Sequence, residues 1–277
     1  MTVKRMASSE WPIGKTFLLS IRYSLFAIRP AAVAAMLALT LHPAAADQRA
    51  DFLSGLTRDC HGCDLAGAKF KRHDLSGADL TGANLHETNF HDANLSGAHL
   101  AGADLTGANL NKADLRRADL AGAKLNDALL YAANLDGARL PGADLTDALM
   151  GTARFTRSDL TKTILRNADL RKARFADAIM VGADLTTAAL DFALLRSAKL
   201  DGAVLVETRL IGAECNEASL VGADLTNADA AGANFRGANF ARANLAGTSL
   251  RKADLYDAHL DQAIFRDTTM PDGTKQP

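Results

Sequence analysis

Large apolar residues recur at every fifth position from Leu65 to Met270, without a slip of phase. Of these 42 positions, 30 are Leu, seven are Phe and three are Met; Cys215 and Ala230 are the other two. Two residues before each, His73 excepted, stands a small side chain, and 34 of those 42 are Ala. Between the two lies an Asp or Asn column, as in Ala78-Asp79-Leu80-Thr81-Gly82. A period of five fits neither common element. On an α-helix the leucines would spiral around the axis, and on a straight strand they would alternate between faces. They share one interior only if the chain turns a corner within every repeat. Ala and Leu, two apart, then both point inward, and the next two residues make the corner. Four corners close a square coil of twenty residues, and coils stack at the strand spacing of about 4.8 Å. Seventeen of the 21 glycines fall two residues after the leucine register, where a type II turn needs positive φ; Gly151 is the one exception inside the array.

The pattern predicts an all-β solenoid, a four-sided β-helix of about ten coils and roughly 50 Å. Residues twenty apart stack, so Phe70 should meet Phe90, and Phe155 should meet Phe175. Ala230 leaves space that Phe235 and Phe240 can fill. Solenoids need capped ends. Phe52, Leu53 and Leu56 lie at helical spacing within residues 47–59, which predicts a short N-terminal capping helix. Residues 271–277 form a C-terminal tail.

Residues 1–46 read differently. Lys4, Arg5, Lys15, Arg22 and Arg29 precede an apolar run from Ala31 to Leu41, and Ala44-Ala45-Ala46 suits a cleavage site before Asp47. This is the layout of a secretory signal peptide, and it predicts an exported, periplasmic protein. The eleven-residue run is short for a membrane span, so membrane attachment would require an uncleaved leader. The 277-residue chain has a formal charge of −1, which calls for no nucleic-acid partner. Without residues 1–46 it holds 26 basic and 31 acidic residues, a charge of −5.

The repeat, together with Cys60-His61-Gly62-Cys63-Asp64-Leu65 and Met270-Pro271-Asp272-Gly273-Thr274, resembles the pentapeptide-repeat family, across residues 60–270. The resemblance implies a right-handed quadrilateral β-helix. It implies little about function, since most members have no defined role. Quinolone-resistance members are acidic rods that mimic a DNA duplex and protect gyrase. That alternative fits poorly here, because a basic coil interrupts the array, phase-breaking loops and a C-terminal dimerising helix are missing, and export would separate the chain from gyrase.

The chemistry-bearing candidates are few. Cys60 and Cys63 fall in the inward Leu and Ala registers and suit a disulfide in an exported protein. A thiol or zinc site there, drawing on His61 and His73, is the weaker alternative. The Asp/Asn column repeats with the fold and gives no catalytic pair. No nucleophile elbow, phosphate loop or metalloprotease helix motif occurs, so no enzyme activity and no cofactor are expected. One coil carries Arg154, Arg157, Lys162, Arg166, Arg171, Lys172 and Arg174 against Asp159 and Asp169. Outward apolar residues enter the later coils: Leu129, Leu149, Ile164, Ile179, Leu194, Val204 and, at corners, Phe192, Val206 and Ile211. Phe192, Leu194 and Ile211 are the predicted partner patch. The sequence therefore reads as an exported, non-catalytic structural or protein-binding scaffold.

Overall fold

The computed structural model describes residues 44–277. The expected leader lies outside the described residues except for Ala44, Ala45 and Ala46, which open a helix, α1 (Ala44–Leu53). Among the described residues no helix is long and apolar enough to cross a membrane.

From Asp59 to Thr269 the chain is one right-handed quadrilateral β-helix. Thirty-nine parallel pairings join each outward residue to the one twenty positions later, from Asp59 with Asp79 to Ser249 with Thr269. The interior is a column of Ala and Leu with almost no exposure. Phe70 stacks on Phe90 at 5.5 Å and Phe155 on Phe175 at 4.8 Å, as the twenty-residue repeat requires. Phe235 and Phe240 meet edge to face at 5.0 Å in the coil that contains Ala230.

The backbone bonds explain the motif. In one repeat, Leu80 and Gly82 N–H donate to the next coil, Asn84 N–H to the previous one, and Ala83 N–H closes the turn onto Leu80. The remaining donor is the N–H of the first corner residue, Thr81, and the Asp79 carboxylate accepts it at 3.0 Å. Where an Asp or Asn precedes the leucine, it thus gives an otherwise orphaned N–H its acceptor. Where that residue is replaced, the previous coil can substitute. Asn111 accepts from Tyr131 N–H at 2.8 Å, Asp136 from Thr156 N–H at 2.9 Å, and Asp201 from Val221 N–H at 3.2 Å. Polar residues in the Ala column are also satisfied. Thr163, for example, donates its buried hydroxyl to Leu140 O at 2.8 Å.

The second corner residue has positive φ in all 42 repeats, 17 times as Gly and 25 times as another residue, whose φ runs from 52° to 61°. Side chains there lean over the next coil. The ideal Cβ position of Gly137 is 3.7 Å from Arg117 Cγ, and that of Gly182 is 3.6 Å from Lys162 Cγ.

The N-terminal cap departs from expectation. Helix α1 ends at Leu53, not near residue 59. Gly55, at φ 78°, closes it with Gly55 N–H to Phe52 O and Leu56 N–H to Asp51 O, a Schellman motif. Leu56 is thrown out of the helix and is 79% exposed, so only Phe52 of the predicted trio is buried, with its ring 5.8 Å from Phe70. Arginines complete the cap. Arg49 Nε donates to Asp64 O and Arg58 Nη1 to Ser76 O, both at 2.7 Å, on carbonyls with no coil beneath them. At the other end the tail turns back, pairing Lys275 antiparallel to Thr269, while Leu255, Leu260 and Phe265 are only partly buried.

Candidate interaction surfaces

The twenty-residue stack sorts outward residues into four faces. The third face runs Asn109, Leu129, Leu149, Asp169, and the fourth runs Asn134, Arg154, Arg174, Leu194. This disperses the late apolar residues: Ile179 belongs to the first face, and Ile164 and Val204 to the second. Phe192 and Ile211 are neighbours at the corner between the third and fourth faces, and Leu194 follows on the fourth face. Phe192 N–H donates to Ile211 O at 3.0 Å, and the Phe192 ring lies over Gly212, whose added Cβ would meet ring carbons at 2.7 and 2.9 Å. Phe192 is 56% exposed at φ 57°, and Leu194 is 37% exposed, while Ile211 is partly covered. A bulky aromatic in the left-handed region is strained.

The same corner holds a residue that the sequence reading missed. Tyr131, three coils below, is 55% exposed, and its ring lies 3.4 Å from the Cβ position of Gly151. Gly151 is the glycine that broke the turn rule. It has no positive φ, and the tyrosine above its bare Cα is what its place in the array correlates with. That misplaced glycine was the signal in the sequence. Tyr131, Leu129, Leu149, Arg171 and Lys172 line a groove of about 440 Å³. Between groove and patch, Asp191 is buried and paired with Arg209 at 2.8 Å.

The carboxylates serve structure. The side-chain bond from Arg116, then the Arg116 N–H and charge, hold Asp114 below the usual carboxylate range; Arg171 does the same for Asp169. In the basic coil, Arg154 pairs with Asp136 at 2.5 Å, and Arg166 with Asp184 and Arg171 with Asp169 at 2.6 Å. Arg157, Lys162, Lys172 and Arg174 form no ion pair among the described residues.

Cys60 and Cys63 are joined across one turn in the first coil, with Cα atoms 5.2 Å apart. His73 points to solvent, near Phe70 and away from a ligand set, and no group of three or more potential metal ligands occurs among the described residues. Cys215 is enclosed in the core, where burial, with Glu214 beside it, pushes its thiol far up and makes it inert.

The comparisons agree with this geometry. The pentapeptide-repeats family model matches in eight copies, over residues 59–97, 88–127, 113–150, 153–191, 188–227 and 228–267. No curated protein sequence matches. Among solved structures, the chain is similar to HetL from the cyanobacterium Nostoc sp. strain PCC 7120, a pentapeptide repeat protein involved in heterocyst differentiation regulation. The two share 33% identity over 82% of this chain and 96% of HetL, with a TM-score of 0.67. It also matches trypsin-treated QnrB1, a plasmid-mediated fluoroquinolone resistance protein, at 20% identity over 71% of this chain and 88% of that one, TM-score 0.38. A third match is a pentapeptide repeat protein of the Arabidopsis thaliana thylakoid lumen, at 34% identity over 43% of this chain and 72% of that one, TM-score 0.25. With its repeat matched along most of its length and its coil shared with HetL, the chain belongs to the pentapeptide-repeat family.

Proposed function

We propose that this chain is an exported, non-catalytic scaffold that holds a protein partner along the corner between its third and fourth faces. The observation that carries this reading is Phe192. Its backbone is the one that the second corner residue adopts in every repeat, but it places a large aromatic ring there with more than half of its side chain in solvent. Tyr131 and Leu149 extend the apolar surface along the corner, and aromatic residues of this kind anchor protein interfaces. Pentapeptide-repeat proteins are generally structural or binding proteins, which supports a non-catalytic role. A Cys60–Cys63 disulfide and the basic, apolar and small-residue layout of residues 1–46 support export.

The test is photo-crosslinking in intact cells from benzoylphenylalanine placed at position 192, 131 or 119, followed by fractionation and mass measurement. A partner adduct from 192 and 131, but not from the first-face position 119, supports the corner as the docking surface. Equal adducts from all three positions would refute it. A chain mass beginning at Asp47 outside the cytoplasm supports export; a full-length cytosolic chain overturns it. The competing reading, a duplex-mimicking topoisomerase binder, asks for acidic faces. Arg139, Arg154 and Arg174 instead stand in outward columns, and protection of gyrase by the purified protein would be the result that favours that reading.

A further inference from the structure

The corner between the fourth and first faces carries a second feature, unrelated to the apolar ridge. Its left-handed column runs Gly97, Arg117, Gly137, Arg157, Asp177. Arg117 has a glycine in the coil below and another in the coil above. Its stem leans over Gly137, and nothing replaces the missing side chain there, so the column is notched between two arginines. The notch opens into a cleft of about 690 Å³, lined by Arg116, Arg117, Asp136, Thr156 and Arg157 with the bare backbone of Gly97 and Gly137.

The charges in this cleft do not cancel. Asp136 is fully engaged: Arg154 binds one oxygen at 2.5 Å and Thr156 N–H the other at 2.9 Å. Arg116 is held by Asp114 at 2.5 Å. Arg117 and Arg157 have no carboxylate partner among the described residues, and even Asp177, next in the column, forms no ion pair with Arg157. Two arginines without a carboxylate partner therefore line one glycine-floored cleft from positions two coils apart, about 10 Å at strand spacing. Guanidinium forks bind phosphate and sulfate oxygens bidentately, and the lining offers charged, hydroxyl and backbone groups and no hydrophobic residue.

We propose that this cleft binds a linear polyanion through two tetrahedral oxyanion groups, phosphate or sulfate, one at Arg117 and one at Arg157. Each guanidinium should contribute about tenfold in affinity, the ordinary yield of a charge-assisted bond. A ligand with a single oxyanion reaches only one of them.

The test is titration calorimetry of the intact protein in 50 mM salt. The probes are sodium tripolyphosphate, a sulfated heparin tetrasaccharide and inorganic phosphate. The proposal expects one of the two polyanions to bind at least tenfold more tightly than inorganic phosphate. The stronger of them then identifies a phosphate chain or a sulfated glycan as the source. Arg117→Ala and Arg157→Ala should each weaken binding about tenfold, and the double variant about a hundredfold. Arg242→Ala, at a corner far from the cleft, should leave it unchanged. Far-ultraviolet circular dichroism verifies that each variant keeps its coil. Equal affinity for polyanions and inorganic phosphate overturns the proposal, as does the same loss in Arg242→Ala. Binding of a DNA duplex that survives the double variant overturns it too, since it would reveal a diffuse electrostatic surface.

Discussion

Replacing Gly212 with alanine perturbs backbone and side chain together, and the two effects can be separated. The backbone at 212 has φ 63°, where an L-residue costs about 1–2 kcal/mol. Alanine also restricts the unfolded chain, which returns about 0.4–1 kcal/mol, so the net backbone cost is about 1 kcal/mol. The new Cβ would stand 2.7 Å from Phe192 Cε1 and 2.9 Å from Cδ1, so the ring must leave its ledge. Full burial of a phenylalanine is worth about 1.5–3 kcal/mol, and this ring is less than half buried, which puts its loss near 1 kcal/mol. Gly212→Ala should therefore cost about 2 kcal/mol in all. Gly122→Ala, at the same φ of 63° with nothing within 4 Å of its Cβ position, should cost only the backbone part, about 1 kcal/mol. In a Phe192→Ala background, Gly212→Ala should fall to the Gly122→Ala value, leaving a coupling of about 1 kcal/mol between residues 192 and 212. Urea unfolding followed by circular dichroism measures all four variants, with the m-value checked for constancy. A coupling of zero would show that the Phe192 ring does not rest on Gly212, and the argument for an aromatic presented on a glycine ledge would fail with it.

Three further outcomes follow from the same structure. Asn111→Ala should destabilise by about 1 kcal/mol because Tyr131 N–H loses its acceptor, and adding Leu129→Asn should restore much of that by supplying the acceptor from the usual motif position; urea midpoints of the single and double variants check this. Leu120→Ala should cost about 3–4 kcal/mol, because its side chain is fully buried and the hydrogen-bonded coils on either side cannot collapse into the cavity; hydrogen exchange should show the loss concentrated in neighbouring coils, and a uniform loss along the rod would contradict it. Asp74, Asp79, Asp104, Asp114 and Asp169 are held below their ordinary values, mainly by side-chain bonds with Ser76, Thr81, Thr106, Arg116 and Arg171. Because the folded values lie below the unfolded value of about 3.9, the unfolded chain binds more protons in that window. This contribution is complete above the unfolded value and is lost as pH falls through the folded values; urea midpoints level above pH 5 and falling below about pH 4 are expected, and midpoints unchanged down to pH 2.5 would reject the stabilising bonds given to these five carboxylates.

Much of this architecture is legible from period alone. A five-residue repeat with two inward positions has one economical closure, and the glycines mark its corners. The stacking of Phe155 on Phe175 follows from counting by twenty. The pairing of Phe192 with Ile211 in successive coils was legible in the same way. Other features were not, because they depend on bonds between coils. The sequence shows that Asp79 recurs but not why; only the coil reveals the N–H of Thr81 left over after the ladder is complete. It does not show that Asn111 and Asp136 serve the coil above, or that arginines close the lower carbonyls. The end of helix α1 was misplaced because helical spacing extends to Leu56, whereas the Gly55 turn, a three-dimensional contest between helix and coil, stops it at Leu53.

The sequence by itself determined which residues point inward, where the chain turns, and how many coils stack, since all three are consequences of periodicity and of turn chemistry local to five residues. Only the tertiary structure decided which outward residues face solvent unpartnered. Whether Arg154 is neutralised by Asp136 while Arg157 stays free, and whether Tyr131 and Phe192 lie on glycine ledges, depends on side-chain reach between coils twenty residues apart. The repeat sets the columns, and the lean of each corner side chain toward the next coil settles which neighbours touch.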